Sequence, residues 1–262
     1  MMRILFIGDI VGRPGRELVR RGLGGLVNFH AADIVVANAE NAAAGFGITR
    51  EIGDQLLGWG VDVMTSGNHI WDKKEAIDYI GAEPRLIRPA NFPAGVPGNG
   101  SYLARAADGR TAGIVNVMGR VFMLNIDDPF AVVLKEIEAM RERTRVIFVD
   151  FHAEATSEKI AMGYYLDGRA SVVVGTHTHV PTADARILPE GTAYVSDLGM
   201  VGALNSVLGM RTEAVIERFL TQLPNRFDPE DKGAAVFNAV LVDIDPDSGR
   251  ALTIERMDHE VA

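Results

Sequence analysis

The chain has 262 residues, 47% of them hydrophobic, a formal net charge of −9 and no cysteine. That length suits one α/β domain (residues 1–262) with a large core, and the lack of cysteine excludes disulfides and thiolate metal sites and fits a reducing compartment, the cytoplasm. An acidic chain binds nucleic acid or anionic membrane poorly, and no apolar run is long enough to span a bilayer, so no stable nucleic-acid complex and no membrane are expected.

The first apolar run, "RILFIGDI" (residues 3–10), reads as a buried strand ending in a polar Gly–Asp. Asp9 interrupts it too early for a targeting segment. "GRPGRELVRRGLGGLV" (12–27) reads as a turn and a helix with Pro14 near its start. "DIVVANAEN" (33–41) is a second strand with a polar end, and Thr49 is an expected N-cap for the helix after it. "VDVMTSGNHIWD" (61–72) repeats the scheme. Asp72 and Glu75 look like a capping box for a helix that Gly81 should end. "RPANFPAGVPGNGS" (88–101) is a Pro/Gly-rich loop, long enough to shape a pocket.

"TAGIVNVMG" (111–119) and "RVIFVDFHAE" (145–154) are further strands, separated by a helix near 131–143. A helix over 157–166 precedes "SVVVGTHTH" (171–179), and "TAYVSDLG" (192–199) is another strand. "AAVFNAVLVDID" (234–245) and "ALTIERMDHE" (251–260) form a hairpin through "DPDSG". Alternating strands and helices give an α/β layered fold, and the terminal hairpin makes its sheet mixed.

Polar side chains collect where apolar strands end: Asp9, Glu40 with Asn41, Asn68 with His69, His152, then His177 and His179. That edge is where α/β sheets bind ligands. Each residue alone has an ordinary role: Asp9 as a helix cap, Glu40–Asn41 as a turn, His152 as a core histidine. The "THTH" pair is harder to dismiss, because a strand period of two would point both imidazoles to one side. Recurrence at five strand ends favours a site for a transition metal bound by oxygen and nitrogen. Asp9, Glu40, Asn41, Asn68, His152, His177 and His179 are seven candidate ligands, too many for one tetrahedral zinc. They suit two metal ions sharing a carboxylate, a positive centre that would attract phosphate and acidify a water.

These residues resemble the calcineurin-like metallophosphoesterases through "GD" (8–9), "GNH" (67–69), His152 and "GTHTH" (175–179). "GDIVGRPGR", "NAENAA", "SGNHIWD", "NVMGRVFM", "DFHAEATSEK" and "GTHTHVPTAD" are similar to one branch, the YmdB-like bacterial phosphodiesterases. Two departures from the wider superfamily, Val11 in place of a histidine and "NAENAA" in place of a second Gly–Asp motif, are shared by that branch. The resemblance implies a metallophosphoesterase-type α/β sandwich with two central mixed β-sheets flanked by helices. It implies that Asp9, Glu40, Asn41 and His179 hold a first metal, that Glu40 bridges, and that Asn68, His152 and His177 complete a second. It implies iron as the native metal, with manganese as a substitute, and His69 as proton donor rather than ligand. The implied reaction is hydrolysis of a small phosphodiester or nucleotide substrate, including 2′,3′-cyclic nucleotides to 3′-nucleotides.

The alternatives are a phosphomonoesterase or nucleotidase on the same centre, or a regulatory protein with a metal site. The surplus His69 favours an enzyme. A Rossmann-type dinucleotide binder is rejected, because Gly8, Gly12 and Gly15 do not have the G-x-G-x-x-G spacing. Arg120, ahead of Arg13 and Arg16, is a candidate for phosphate contact against a surface or structural role, Trp71 for base stacking against ordinary packing, and Glu154 for support of His152 or as the N-terminal acid of the next helix. His30 and His259 are expected in solvent. Physiological substrate and formation of a homo-oligomer are left open.

Overall fold

The computed structural model describes residues 1–261; Ala262, the last residue of the expected domain, lies outside them. Among the described residues, thirteen strands and six helices follow in chain order. They are β1 (Met2–Ile7), β2 (Asp9–Ile10), α1 (Gly12–His30), β3 (Ile34–Asn38), α2 (Arg50–Gly58), β4 (Val63–Thr65), α3 (Lys74–Ala82), β5 (Ser101–Arg105) and β6 (Thr111–Met118). Then come α4 (Pro129–Arg141), β7 (Ile147–His152), α5 (Thr156–Tyr165), β8 (Val172–Thr176), β9 (Arg186–Ile187), β10 (Ala193–Val195), β11 (Met200–Ala203), α6 (Thr212–Thr221), β12 (Ala235–Ile244) and β13 (Ala251–Val261).

The strands form two mixed sheets. The first has the order β2-β11-β12-β1-β3-β4, with β13 also paired to β12, and the second has the order β5-β6-β7-β8-β10-β9. Strands β1, β3 and β4 run parallel, as do β6, β7, β8 and β10. The predicted hairpin is the antiparallel β12–β13 pair.

The apolar runs are continuous because both faces of these strands are covered. In β1, Ile4 and Phe6 pack between the sheets with Ile114, Phe148 and Val174, whereas Leu5 and Ile7 face Val19, Leu23 and Leu56 of the helices. Phe6 and Phe148 stack at 5.0 Å between ring centres, joining the sheets through one aromatic pair. Helices α4 and α5 cover the far side of the second sheet through Val133, Ile137 and Met162.

Several expectations need correction. The first run is broken at Gly8, where a side chain would overlap the Gly199 carbonyl. Asp72 does not cap α3, whose N-cap Lys73 makes no side-chain bond. Asp9 does not cap α1 either, since the N-cap there is Val11. Thr49 does cap α2, accepting from the Ile52 amide. Strands β5, β9 and β11 and helix α6 were not anticipated, being short or flanked by weak turn signals. Among the described residues no helix is long and apolar enough to cross a membrane.

Candidate metal centre and active-site cavity

The eight candidate residues follow strands of two sheets rather than one. Asp9 begins β2, Glu40 and Asn41 follow β3, and Asn68 and His69 follow β4 in the first sheet. His152 ends β7, and His177 and His179 follow β8 in the second. All eight lie where the C-terminal ends of the parallel strands of the two sheets meet.

The histidine pair lies beyond the strand, so a strand period of two does not orient it. β8 stops at Thr176, and His177 and His179 sit in left-handed backbone at φ 96° and 63°. Such conformations are costly for side chains with a Cβ and persist where surrounding contacts impose them. Here the contacts are a buried ion pair: Lys159 Nζ lies 2.6 Å from Asp197 Oδ2 and donates to the Thr176 carbonyl, and Asp197 accepts from the Thr178 amide and hydroxyl.

Three lone-pair atoms converge on His152 Nε2: Glu40 Oε1 at 3.0 Å, Asn68 Oδ1 at 3.0 Å and His177 Nδ1 at 3.1 Å. One ring N–H can serve only one of them. The opposite nitrogen, His152 Nδ1, lies 2.9 Å from the Thr176 hydroxyl, which donates to Asp150 at 2.7 Å. Nδ1 therefore donates, and Nε2 faces the cluster. His177 is turned the other way, with Nε2 3.1 Å from Glu154 and Nδ1 inward. Glu154 thus supports His177, not His152.

Beside this group lies a second. His179 Nδ1 donates to the Leu208 carbonyl at 2.9 Å, so its Nε2 points inward, 3.3 Å from Asn41 Oδ1 and 3.9 Å from Asp9 Oδ1. The Asn41 amide nitrogen is spent on the Gly45 carbonyl, which leaves its oxygen for the cluster. Asp9 Oδ1 is fully buried without a hydrogen-bond partner, an expensive state for a carboxylate oxygen unless a cation completes it. Its other oxygen accepts from the His177 amide at 3.3 Å.

The electrostatics point the same way. Burial pushes the Asp9 carboxyl well above the usual carboxylate range. Burial also opposes charge on Glu40, but the adjacent His152 ring brings it down to about 2. Burial works against charge on His152, and Glu40 with Asp9 and Asp150 lifts it to about 8. Burial, with the neighbouring His152, lowers His177 to about 3, and burial lowers His179. The cluster thus pairs one carboxylate, Glu40, with His152 and keeps His177 and His179 neutral, the form in which an imidazole can bind a metal. Glu40, His152 and His177 place ligand atoms within 4.8 Å of one another, close enough that the three could hold one metal ion. Buried carboxylate and imidazole donors with no thiolate fit the expected metal class.

His69 stands apart from the ligand atoms. Its backbone amide donates to Glu40 Oε2 at 3.0 Å, while its ring Nδ1 lies 2.8 Å from Asp72 Oδ2. Its ring lines a cavity of about 700 Å³ together with Glu40, Asn41, His177 and His179.

The remaining wall was missed from sequence. It comes from Phe46, whose ring meets His69 edge-on at 5.0 Å, and from the 207–227 segment carrying α6. The Pro/Gly-rich loop does not line this cavity. Trp71 packs on Phe92 instead of reaching it. Arg13 pairs with Asp231, Arg16 with the Ala42 carbonyl and Arg120 with Asp128, and none of the three lines the cavity; Arg218 does. His259 is exposed and His30 half-buried.

The chain is similar to known proteins along nearly its whole length. The chain is 50% identical to the Bacillus subtilis (strain 168) 2′,3′-cyclic-nucleotide 2′-phosphodiesterase over 98% of this chain and 96% of the relative. A crystal structure of a hypothetical protein from Thermus thermophilus superposes with a TM-score of 0.92 at 42% identity, covering 99% of both chains. A crystal structure described as a novel phosphatase from Mycoplasma pneumoniae gives 0.91 at 33% identity, covering 99% of this chain and 93% of that one. The family model described as YmdB-like protein matches residues 5–257, and the chain belongs to the YmdB-like family.

Proposed function

We propose that this protein is a metal-dependent phosphodiesterase that opens 2′,3′-cyclic nucleotides to 3′-nucleotides. The observation that carries this reading is the buried, partnerless Asp9 Oδ1 beside three acceptors crowded on His152 Nε2. Asp9, Asn41 and His179 would hold one metal ion, Asn68, His152 and His177 the other, and Glu40 both. Iron is the proposed native metal, with manganese able to replace it. When bound, such a pair neutralises phosphate charge and lowers the pKa of water.

The chain's own groups do the rest. Leu208, Thr176 and Glu154 fix the imidazole orientations through the ring nitrogen turned away from the centre. Asp72 holds His69 through Nδ1, which leaves Nε2 as the atom that gives a proton to the departing 2′-oxygen. Water supplies the new oxygen on phosphorus, the bond from phosphorus to the 2′-oxygen breaks, and the phosphate stays on the 3′-oxygen. The absence of cysteine supports a cytoplasmic setting.

The test is purification without added metal, elemental analysis per chain, and assay of 2′,3′-cyclic nucleotides, open diesters and nucleoside monophosphates. Faster turnover of the cyclic diesters is expected. Faster turnover of monophosphates would favour a nucleotidase. Bound metal without turnover of any would favour a regulatory protein.

A further inference from the structure

The cavity has two halves. Its floor is the polar cluster with His69 and the Phe46 ring against it, whereas its far wall is built from Met210, Val215, Phe219 and Phe227. A volume of about 700 Å³ lies within the range of sites that enclose an organic ligand and far exceeds what a phosphate needs.

Helix α6 supplies the wall by its periodicity. Val215, Arg218 and Phe219 fall at i, i+3 and i+4 and line the cavity, as does Gln222, the C-cap of the helix in left-handed backbone. Val215 is buried, but Phe219 is 74% exposed. The helix therefore presents an aromatic ring to the cavity and not to the core. The Arg218 guanidinium donates to the Gln222 backbone carbonyl at 3.0 Å, which holds the two residues together at the end of the helix.

We propose that this wall is a nucleobase subsite, with Phe219 as the stacking surface and Arg218 and Gln222 as contacts to the base edge. The inference rests on the reading of the substrate as a nucleotide. The occupant follows from continuity: one cavity joins the apolar wall to the phosphate-attracting cluster, so both halves hold parts of one molecule. A flat base has the π-face that Phe219 can cover and the polar edge that Arg218 and Gln222 can bond, whereas a hydrocarbon chain would use only the first. The hydrogen bonds of Arg218 and the Gln222 side chain run within the 218–222 segment, not to the candidate ligands.

The experiment compares wild type with Phe219→Ala on 2′,3′-cyclic AMP and on methyl riboside 2′,3′-cyclic phosphate, which lacks a base. Loss of one base–aromatic stack should raise KM for the nucleotide about tenfold, leave kcat within about twofold, and leave both constants unchanged for the base-free substrate. Equal effects on both substrates, or none on either, would overturn the subsite. Adenosine binding by calorimetry separates this from the phosphodiesterase reading, since adenosine has no phosphate. If neither cyclic substrate is hydrolysed, adenosine binding that weakens about tenfold in Phe219→Ala still supports the subsite while the proposed reaction fails. Adenosine that does not bind, or binds both proteins equally, overturns it. So does a variant that changes only the sedimenting mass, which would make α6 a contact between copies of the chain.

Discussion

His69 and Asp72 form a hydrogen-bonded pair, Nδ1 to Oδ2 at 2.8 Å, just before α3 begins. The carboxylate that a capping pattern would assign to the helix is instead used to orient an imidazole at the cavity. If His69 gives its proton from Nε2, His69→Gln should lower kcat on 2′,3′-cyclic AMP by about 10²–10⁴ with metal content unchanged. The loss should shrink on a nitrophenyl diester, whose leaving group hardly needs a proton. Asp72→Asn should show the same substrate contrast with a smaller loss. Loss of metal from His69→Gln, measured by elemental analysis, would make His69 a ligand.

Glu40 contributes to the group around His152 and is also the neighbour of Asn41 in the second group. Glu40→Ala should therefore lose more than one metal equivalent per chain, and His179→Ala no more than one. Equal, small losses in the two variants would argue against a shared carboxylate.

Gly67 is set by the site rather than by the backbone. A Cβ there would overlap the His152 ring and crowd Glu40 Oε2. Gly67→Ala should keep its far-ultraviolet circular dichroism and bind manganese at least about tenfold more weakly, the scale on which disturbed ligand support acts. Unchanged affinity in a calorimetric titration would show that the cluster can move aside.

Lys159 and Asp197 are both buried, at side-chain exposures of 1% and 2%. Lys159→Met leaves a buried carboxylate without its cation, and should cost about 3–5 kcal/mol in urea unfolding. A loss below about 1 kcal/mol would mean that the Thr178 and Gly199 amides suffice to hold Asp197.

Arg3 grips Asp243 with two bonds, Nε to Oδ1 at 2.6 Å and a terminal nitrogen to Oδ2 at 2.9 Å. The hydrogen bond from Arg3 holds the Asp243 carboxyl below its ordinary value. A depressed folded pKa stabilises above the unfolded pKa, and that stability is lost as pH falls through the folded value. Asp243→Asn should cost about 1 kcal/mol at pH 7, and the difference should hold down to roughly pH 4 and shrink below it. A melting-temperature difference that instead grew on acidification would contradict the assignment.

Much of the fold is legible locally. Strands such as β1 and β7 are covered on both faces, so they appear as unbroken apolar runs, and Thr49 marks α2 by its hydroxyl. α6 and β11 were not legible, because their flanks carry no strong cap or turn signal: α6 has no side-chain N-cap bond. The seven candidate ligands and His69 stand out in the sequence because each lies at or just beyond the end of an apolar run.

By itself, then, the sequence determined the alternation of strands and helices, the residue types at the strand ends and the family. Only the tertiary structure decided that those ends belong to two sheets, that left-handed backbone turns His177 and His179 inward, that Asp72 serves His69, and that α6 closes the cavity. The reason is range: hydrophobic period and capping act over a few residues, whereas Glu40 meets His152, and Asn41 meets His179, across more than a hundred, through packing that no local pattern carries.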